Sequence, residues 1–243
     1  MQTHTYEIER QVQERHWWFR VRRRLVAETI AGLDLPPAGE ARALDLGCGS
    51  GSHGPVLARV ARVAGCDRSA EAFREAPHGA YAWRLRCDAL RLPVRDASVD
   101  LVLAADLLEH LDDDREGLAE VRRVLRPGGW GLFLVPAFGW LWGVQDDVSE
   151  HRRRYTGALL RGRVEEAGLT VARATYFNTF LLPPIFLARY FMRRTGMKVE
   201  SENELTPGWT NGLLERVFGL EVPLLRRIDL PVGVSFLCLA RKT

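Results

Sequence analysis
Gly47, Gly49 and Gly51 alternate along the segment Leu44-Asp45-Leu46-Gly47-Cys48-Gly49-Ser50-Gly51, which leaves an apolar run at residues 43–46 and enters a helix-forming stretch at 52–61. This spacing constrains the fold more than any other feature of the chain. Glycine reaches φ > 0 without a Cβ penalty and lets a ligand lie directly against backbone. The helix that follows offers unpaired N–H groups at its first turn. A strand, a glycine turn and a helix together open a nucleotide-binding α/β unit. The dinucleotide pattern G-x-G-x-x-G is not met, because Ser52 stands where its third glycine would be.

Later segments continue the alternation. Residues 60–66 read as a second strand ending at Asp67, where an acidic tip can accept hydrogen bonds from both hydroxyls of a ribose. Cys87-Asp88-Ala89 closes a third strand. Residues 99–105 form a fourth, followed by Asp106-Leu107-Leu108-Glu109-His110-Leu111. Leu125-Arg126-Pro127-Gly128-Gly129 turns into a fifth at 131–135. Helices are expected at 115–125 and 156–167, with strands at 170–177 and near 232–240. Strands alternating with helices argue for a parallel sheet covered on both faces.

The G-x-G-x-G turn after Asp45, with the four elements behind it in this order, resembles the class I S-adenosylmethionine (SAM)-dependent methyltransferases, of the small-molecule, type 11-like kind. The resemblance covers roughly residues 40–177 and the final strand. It implies a Rossmann-like α/β fold: a seven-stranded, mostly parallel sheet with helices on both faces. To that core this chain adds an N-terminal lid helix, within residues 1–38, and a C-terminal cap insertion. The core then runs over 39–243, with substrate-cap insertions at about 136–155 and 178–230. The resemblance assigns Asp45, Gly47, Gly49 and Gly51 to the methionine and ribose cradle, Asp67 to the ribose, Asp88 and Ala89 to the adenine, and Asp106 to the methionine end. SAM is the implied cofactor and S-adenosylhomocysteine the product.

His16-Trp17-Trp18-Phe19-Arg20-Val21-Arg22-Arg23-Arg24 lies on one helix, expected from residue 6 to 32 as one piece or two. It resembles the lid helix of a bacterial subgroup of small methyltransferases. An arginine there can pair with the methionine carboxylate, and an aromatic face can meet a sulfonium; Trp18 and Arg22 are the contacts chosen. The plain alternative is that the aromatics dock the helix on the core.

The segment from Asp146 to Tyr155 follows the fifth-strand tip, on the edge where open α/β sheets bind ligands. His151 is the candidate general base, since imidazole titrates near neutrality. Asp146 would orient it and Tyr155 would position a polar group. The structural alternative is a capping and ion-pair network. His110 reads as a structural residue at the start of a helix. Asp112-Asp113-Asp114 reads as an N-terminal cap rather than a metal site, because no other ligands converge in sequence.

Lys and Arg number 34 against 31 Asp and Glu, and all but Lys198 and Lys242 of the basic residues are Arg, which points to a high-GC, bacterial genome. The [DN]-P-P-[YF] and Pro-Cys signatures of DNA methylation are absent, as are RRM and KH signatures. The acceptor is therefore expected to be a small, partly hydrophobic molecule (a natural product, sugar-linked or lipid-type intermediate) methylated on O, N or S, and no nucleic-acid partner is expected. A SAM-binding cyclase or a non-catalytic SAM-binding protein stays open, with a nucleic-acid methyltransferase as the weaker alternative. Cys48, Cys66, Cys87 and Cys238 lack metal-ligand spacing and read as separate buried thiols in a reducing compartment. Charged residues at positions 7–14 leave no apolar leader core, and the reading is cytoplasmic. The apolar stretch 180–194, broken by Pro183-Pro184, reads as core or pocket packing, with peripheral membrane contact as its second reading. Oligomeric state is not readable.

Overall fold
The computed structural model describes residues 12–76, 79–195 and 208–243. Seven strands form one sheet in the order β3-β2-β1-β4-β5-β7-β6. In chain order they are β1 (Arg42–Leu46), β2 (Arg62–Asp67), β3 (Trp83–Arg86), β4 (Val99–Ala105), β5 (Leu125–Pro136), β6 (Thr170–Phe177) and β7 (Ser235–Arg241). β7 lies antiparallel between β5 and β6, and the pairs from β3 to β5 are parallel. The carboxyl ends of β1, β2, β4 and β5 therefore share one edge.

Side chains alternate between the two faces, as the two-residue period of a strand requires. Leu101 and Leu103 of β4 and Leu132 and Leu134 of β5 face one apolar layer; Val102, Ala104, Phe133 and Val135 face the other. The second layer is closed by α4 (Asp114–Val124) and α6 (Gly157–Glu166). Each begins at a polar cap: Asp113 accepts from the Arg115 and Glu116 amides, and Thr156 accepts from Leu159. The first layer is closed by α1 (Trp17–Ala31), by the one-turn α2 (Gly54–Leu57), and by α8 (Gly208–Gly219) and α9 (Glu221–Leu225). Between them in sequence lie the short α3 (Ala72–Glu75) and α5 (Val144–Val148), and α7 (Leu182–Thr195) precedes α8.

The N-terminal helix and the 178–230 insertion pack on each other. Trp18 stacks on Phe218, with ring centroids 5.6 Å apart, and on Phe177 at 6.2 Å. Trp17 meets Phe218 edge-on at 5.9 Å, and its amide donates to Asn211 Oδ1 at 2.9 Å. α1 is thus a fixed part of the first layer. Its start is set by His16, whose Nδ1 accepts from the Trp18 amide, after residues 12–15 have made a separate helical turn. The part of the expected lid at residues 1–11, and residues 196–207 of the expected cap, lie outside the described residues.

Several boundaries differ from the sequence reading. The helix expected at 52–61 is one turn long: the Val60 amide already reaches back to Leu57, and Ala61, buried, leads straight into β2. β5 begins at Leu125, six residues earlier than the expected 131, because the Arg126–Gly129 turn is itself extended against the end of β7. The cysteines are not four separate thiols. β2 and β3 pair in parallel so that Cys66 and Cys87 meet as a disulfide, with Cα atoms 6.1 Å apart, while Cys48 and Cys238 stay free and buried. That pairing removes the basis for reading a reducing compartment from the cysteines. The 180–194 stretch divides: Ile185 packs on the core, whereas Phe180, Phe186, Leu187, Tyr190 and Phe191 are exposed. Among the described residues no helix is long and apolar enough to cross a membrane.

Because Phe218 is fully buried at the junction of α1, α8 and β6, Phe218→Ala is expected to lower unfolding free energy by about 3–5 kcal/mol in urea denaturation. A loss under about 1 kcal/mol would show that the two added segments do not depend on this contact.

Candidate functional site
The shared carboxyl edge holds a cavity of about 500 Å³. The glycine turn forms its floor, with Gly47 at φ 70° and Gly49 at φ 48°. A Cβ on Gly47 would lie 2.8 Å from Leu107 Cδ1, so the turn and the segment after β4 touch only because this residue has none. Asp67, at the tip of β2, ties the turn down: Gly49 donates to its Oδ2 at 2.8 Å and Ser69 to its Oδ1 at 2.9 Å. From the N-terminal side Gln13 receives the Ser50 hydroxyl.

Arg22 enters from α1. Its Nη1 is ion-paired with Asp106 Oδ2 and its guanidinium lies 5.1 Å from the Trp18 ring centroid. Its Nε and Nη2 are buried and have no partner. Asp106 follows β4 with φ 54°, a left-handed conformation that aspartate tolerates better than most residues. His53, also on the cavity wall, is held neutral: burial, then Arg22, lower its pKa to about 3.

On the far side stands His151. Its Nδ1 is 2.8 Å from Oδ1 of Asp146. Asp146 is fully buried and also accepts both arms of Arg154, at 2.8 and 2.9 Å, and the Gly143 amide at 2.7 Å. Burial opposes its charge, but the hydrogen bonds from His151 and Arg154 prevail and hold it well below the usual carboxylate range. The His110 ring meets His151 edge-on, centroids 4.7 Å apart, and burial and His151 lower its pKa. Glu109 beside it is completely enclosed; burial, then the Asp106 carboxylate, push its pKa well up.

The structure thus brings Gly47, Gly49, Asp67, Asp106, Trp18, Arg22 and His151 to one cavity, with Asp146 behind His151. Other expected residues lie elsewhere. Asp45 sits under the turn, buried, accepting from Tyr81 at 2.6 Å, and Gly51 only shapes the turn, at φ 82°. Asp88 caps its own loop by accepting from Leu90, and neither it nor Ala89 lines the cavity. Tyr155 does not face the cavity at all. It is fully buried beneath it, its hydroxyl 2.8 Å from Asp114 Oδ2 and 3.2 Å from the Leu108 carbonyl, because residue 155 pairs with Ala137 and points into the second apolar layer. Gln13, His53 and Asn178 are among the wall residues that escaped the sequence reading. Asn178 is fully buried with both amide atoms unpartnered, at φ 59° just after β6. A non-glycine residue poised for a left-handed turn at a strand end is the one local signal it offers.

Known proteins share sequence and fold with this chain. Residues 44–133 match the family described as "Methyltransferase domain". The chain is 28% identical over 221 residues to the 27-O-demethylrifamycin SV methyltransferase of Amycolatopsis mediterranei, covering 84% of this chain and 72% of that one. It is 41% identical over 167 residues to an uncharacterized 37.1 kDa protein in transposon TN4556 of Streptomyces fradiae, covering 64% of this chain but only 47% of that one. Among solved structures, Haemonchus contortus phosphoethanolamine N-methyltransferase 2 in complex with SAM superposes with a TM-score of 0.58 at 18% identity, over 90% of this chain and 52% of that one, which shows a shared fold.

Two outcomes follow from the buried acids. Tyr155→Phe leaves an Asp114 oxygen without its donor and should cost about 1–3 kcal/mol in urea unfolding with cofactor affinity unchanged; loss of turnover at full stability would return Tyr155 to the chemistry. Burial raises the Asp45 carboxyl to about 7 from an ordinary 3.8. A folded pKa above the unfolded one gives stability that is complete below about pH 4 and lost as pH rises through about 7. Unfolding curves of wild type and Asp45→Asn should therefore diverge between pH 4 and 7, the wild type losing ground; parallel curves would contradict the buried acid.

Proposed function
This chain belongs to the class I SAM-dependent methyltransferases, and from that premise we propose that it transfers the methyl group of SAM to an oxygen of a small, partly hydrophobic acceptor. The observation that carries the reading is the presence of two groups on one cavity: Arg22, with a buried and unpartnered edge to its guanidinium, and His151, backed by Asp146.

The residues present fit the cofactor. The free Nε and Nη2 of Arg22 form a fork that suits a carboxylate such as that of a methionine moiety. Gly47 and Gly49 leave backbone exposed for close approach, and Asp67 stands where a ribose would lie. Trp18 offers an aromatic face. When bound, SAM supplies an electrophilic methyl on a positively charged sulfur. What remains for the protein is alignment of the acceptor within about 3 Å of that carbon and exclusion of water.

For a hydroxyl acceptor a proton must also leave. Asp146 fixes the tautomer of His151 by taking Nδ1, so Nε2 is the atom presented to the acceptor. Asn178 offers a donor and an acceptor for a polar group of the substrate, and Ile185 lines the same cavity with apolar surface. A base at this place favours oxygen over an amine that is already neutral. The O-methylating rifamycin relative points the same way.

Calorimetry should show S-adenosylhomocysteine binding to the wild type, weakened at least roughly tenfold by Asp67→Ala, which removes a hydrogen-bonded carboxylate. With an acceptor in hand, His151→Ala should lower kcat by roughly 10²–10⁴ and leave cofactor affinity unchanged. Folded wild type that binds no S-adenosylhomocysteine would overturn the reading of the cavity. An unaltered kcat would remove His151 from proton transfer.

A further inference from the structure
The carboxylate of Glu109 is fully enclosed just beyond β4, and neither oxygen has a hydrogen-bond partner. A buried charge is costly unless something of opposite sign meets it. Two other carboxylates of this edge have theirs: Asp106 pairs with Arg22 and Asp146 with Arg154. Glu109 has no such partner and lies instead beside two imidazoles. One of its oxygens, a ring nitrogen of His110 and a ring nitrogen of His151 all lie within 4.8 Å of one another.

His151 is also held from behind. Its Nδ1 is taken by Asp146 at 2.8 Å, and the His110 ring packs edge-on against it, with centroids 4.7 Å apart. An imidazole fixed through one nitrogen turns its other nitrogen forward as a lone-pair donor, which is how metal-binding histidines are oriented. Both rings line the cavity.

The geometry points to a site for one divalent transition-metal ion, held by Glu109, His110 and His151 at the acceptor end of the cavity. Two imidazoles and a carboxylate suit Mn²⁺, Fe²⁺, Co²⁺ or Zn²⁺ and leave coordination positions open. The consequence for catalysis rests on the methyl-transfer reading given above. An acceptor hydroxyl bound at an open position loses its proton to solvent more readily. Its oxygen then forms the new bond to the methyl carbon as the carbon–sulfur bond breaks, the electron pair staying on sulfur. With the ion bound, Nε2 of His151 is a ligand and no longer takes the proton, and the ion polarises the acceptor in its place.

The test uses the full chain, stripped with a chelator and shown to be folded by circular dichroism, and titrated separately with Mn²⁺ and with S-adenosylhomocysteine in a calorimeter. Expected is one Mn²⁺ per chain, weakened at least roughly tenfold in both Glu109→Gln and His110→Asn, with S-adenosylhomocysteine binding retained in both. Co²⁺ loading read by its visible absorption should be lost in the same variants. No Mn²⁺ or Co²⁺ binding by folded wild type, or binding that both variants keep, overturns the ion site while S-adenosylhomocysteine binding leaves the methyl-transfer reading standing. Metal binding without S-adenosylhomocysteine binding does the reverse.

Discussion
The ion pair between Arg22 and Asp106 is the contact on which the site's geometry depends. It joins a helix outside the α/β alternation to the carboxyl end of a central strand. Arg22 is 2% exposed, so its charge is tolerable only with a fixed partner. Asp106 supplies one, while the other edge of the guanidinium stays buried and without a partner beside the cavity. The aromatic packing of Trp17 and Trp18 on Phe218 and Phe177 keeps α1 in the register that this pairing needs. Stability of the added segments and placement of the charge are therefore one problem, solved by the same helix.

The far wall follows a different principle. Asp146 receives four protein donors: His151, two from Arg154 and the Gly143 amide. A carboxylate so saturated stays charged in spite of burial. It is a rigid mount for His151. The expected structural alternative for 146–155, an ion-pair network, and the expected functional one are thus the same set of bonds. Arg154 ties the mount to the end of β5 through the Ala137 carbonyl, so the imidazole's position is referred to the sheet and not to a loop.

Elements bounded by local signals were legible in the sequence. β4 and β6 occupy the expected residues, 99–105 and 170–177, because apolar β-branched runs end there at Asp106 and Asn178. α4 starts within a residue of expectation because Asp113 caps it. What depends on register or on side-chain direction was not legible. The Cys66–Cys87 pairing needs the parallel offset of β2 against β3, which no spacing encodes. Tyr155 sits in a promising segment yet faces inward, and a bridge of one residue to Ala137 decides that. Arg22 and Trp18 were recognisable from the helix's composition. Asn178 and Gln13 belong to the cavity only because distant segments fold over it.

Glu109 shows most clearly why a segment can be read correctly and its chemistry missed. Nothing within Leu108-Glu109-His110-Leu111 marks the glutamate as buried. Here the segment is one turn of 3₁₀ helix, and the short connection from β4 keeps it against the sheet. The Arg152 amide closes the other side by donating to the Glu109 carbonyl at 2.8 Å. The residue is therefore pinned by its backbone, and its carboxylate lies in the interior. The 146–155 segment brings His151 to the same spot from the neighbouring strand, since β4 and β5 pair in parallel and release their following segments side by side. Two motifs about forty residues apart become one cluster because parallel strands deliver their carboxyl ends to a common edge.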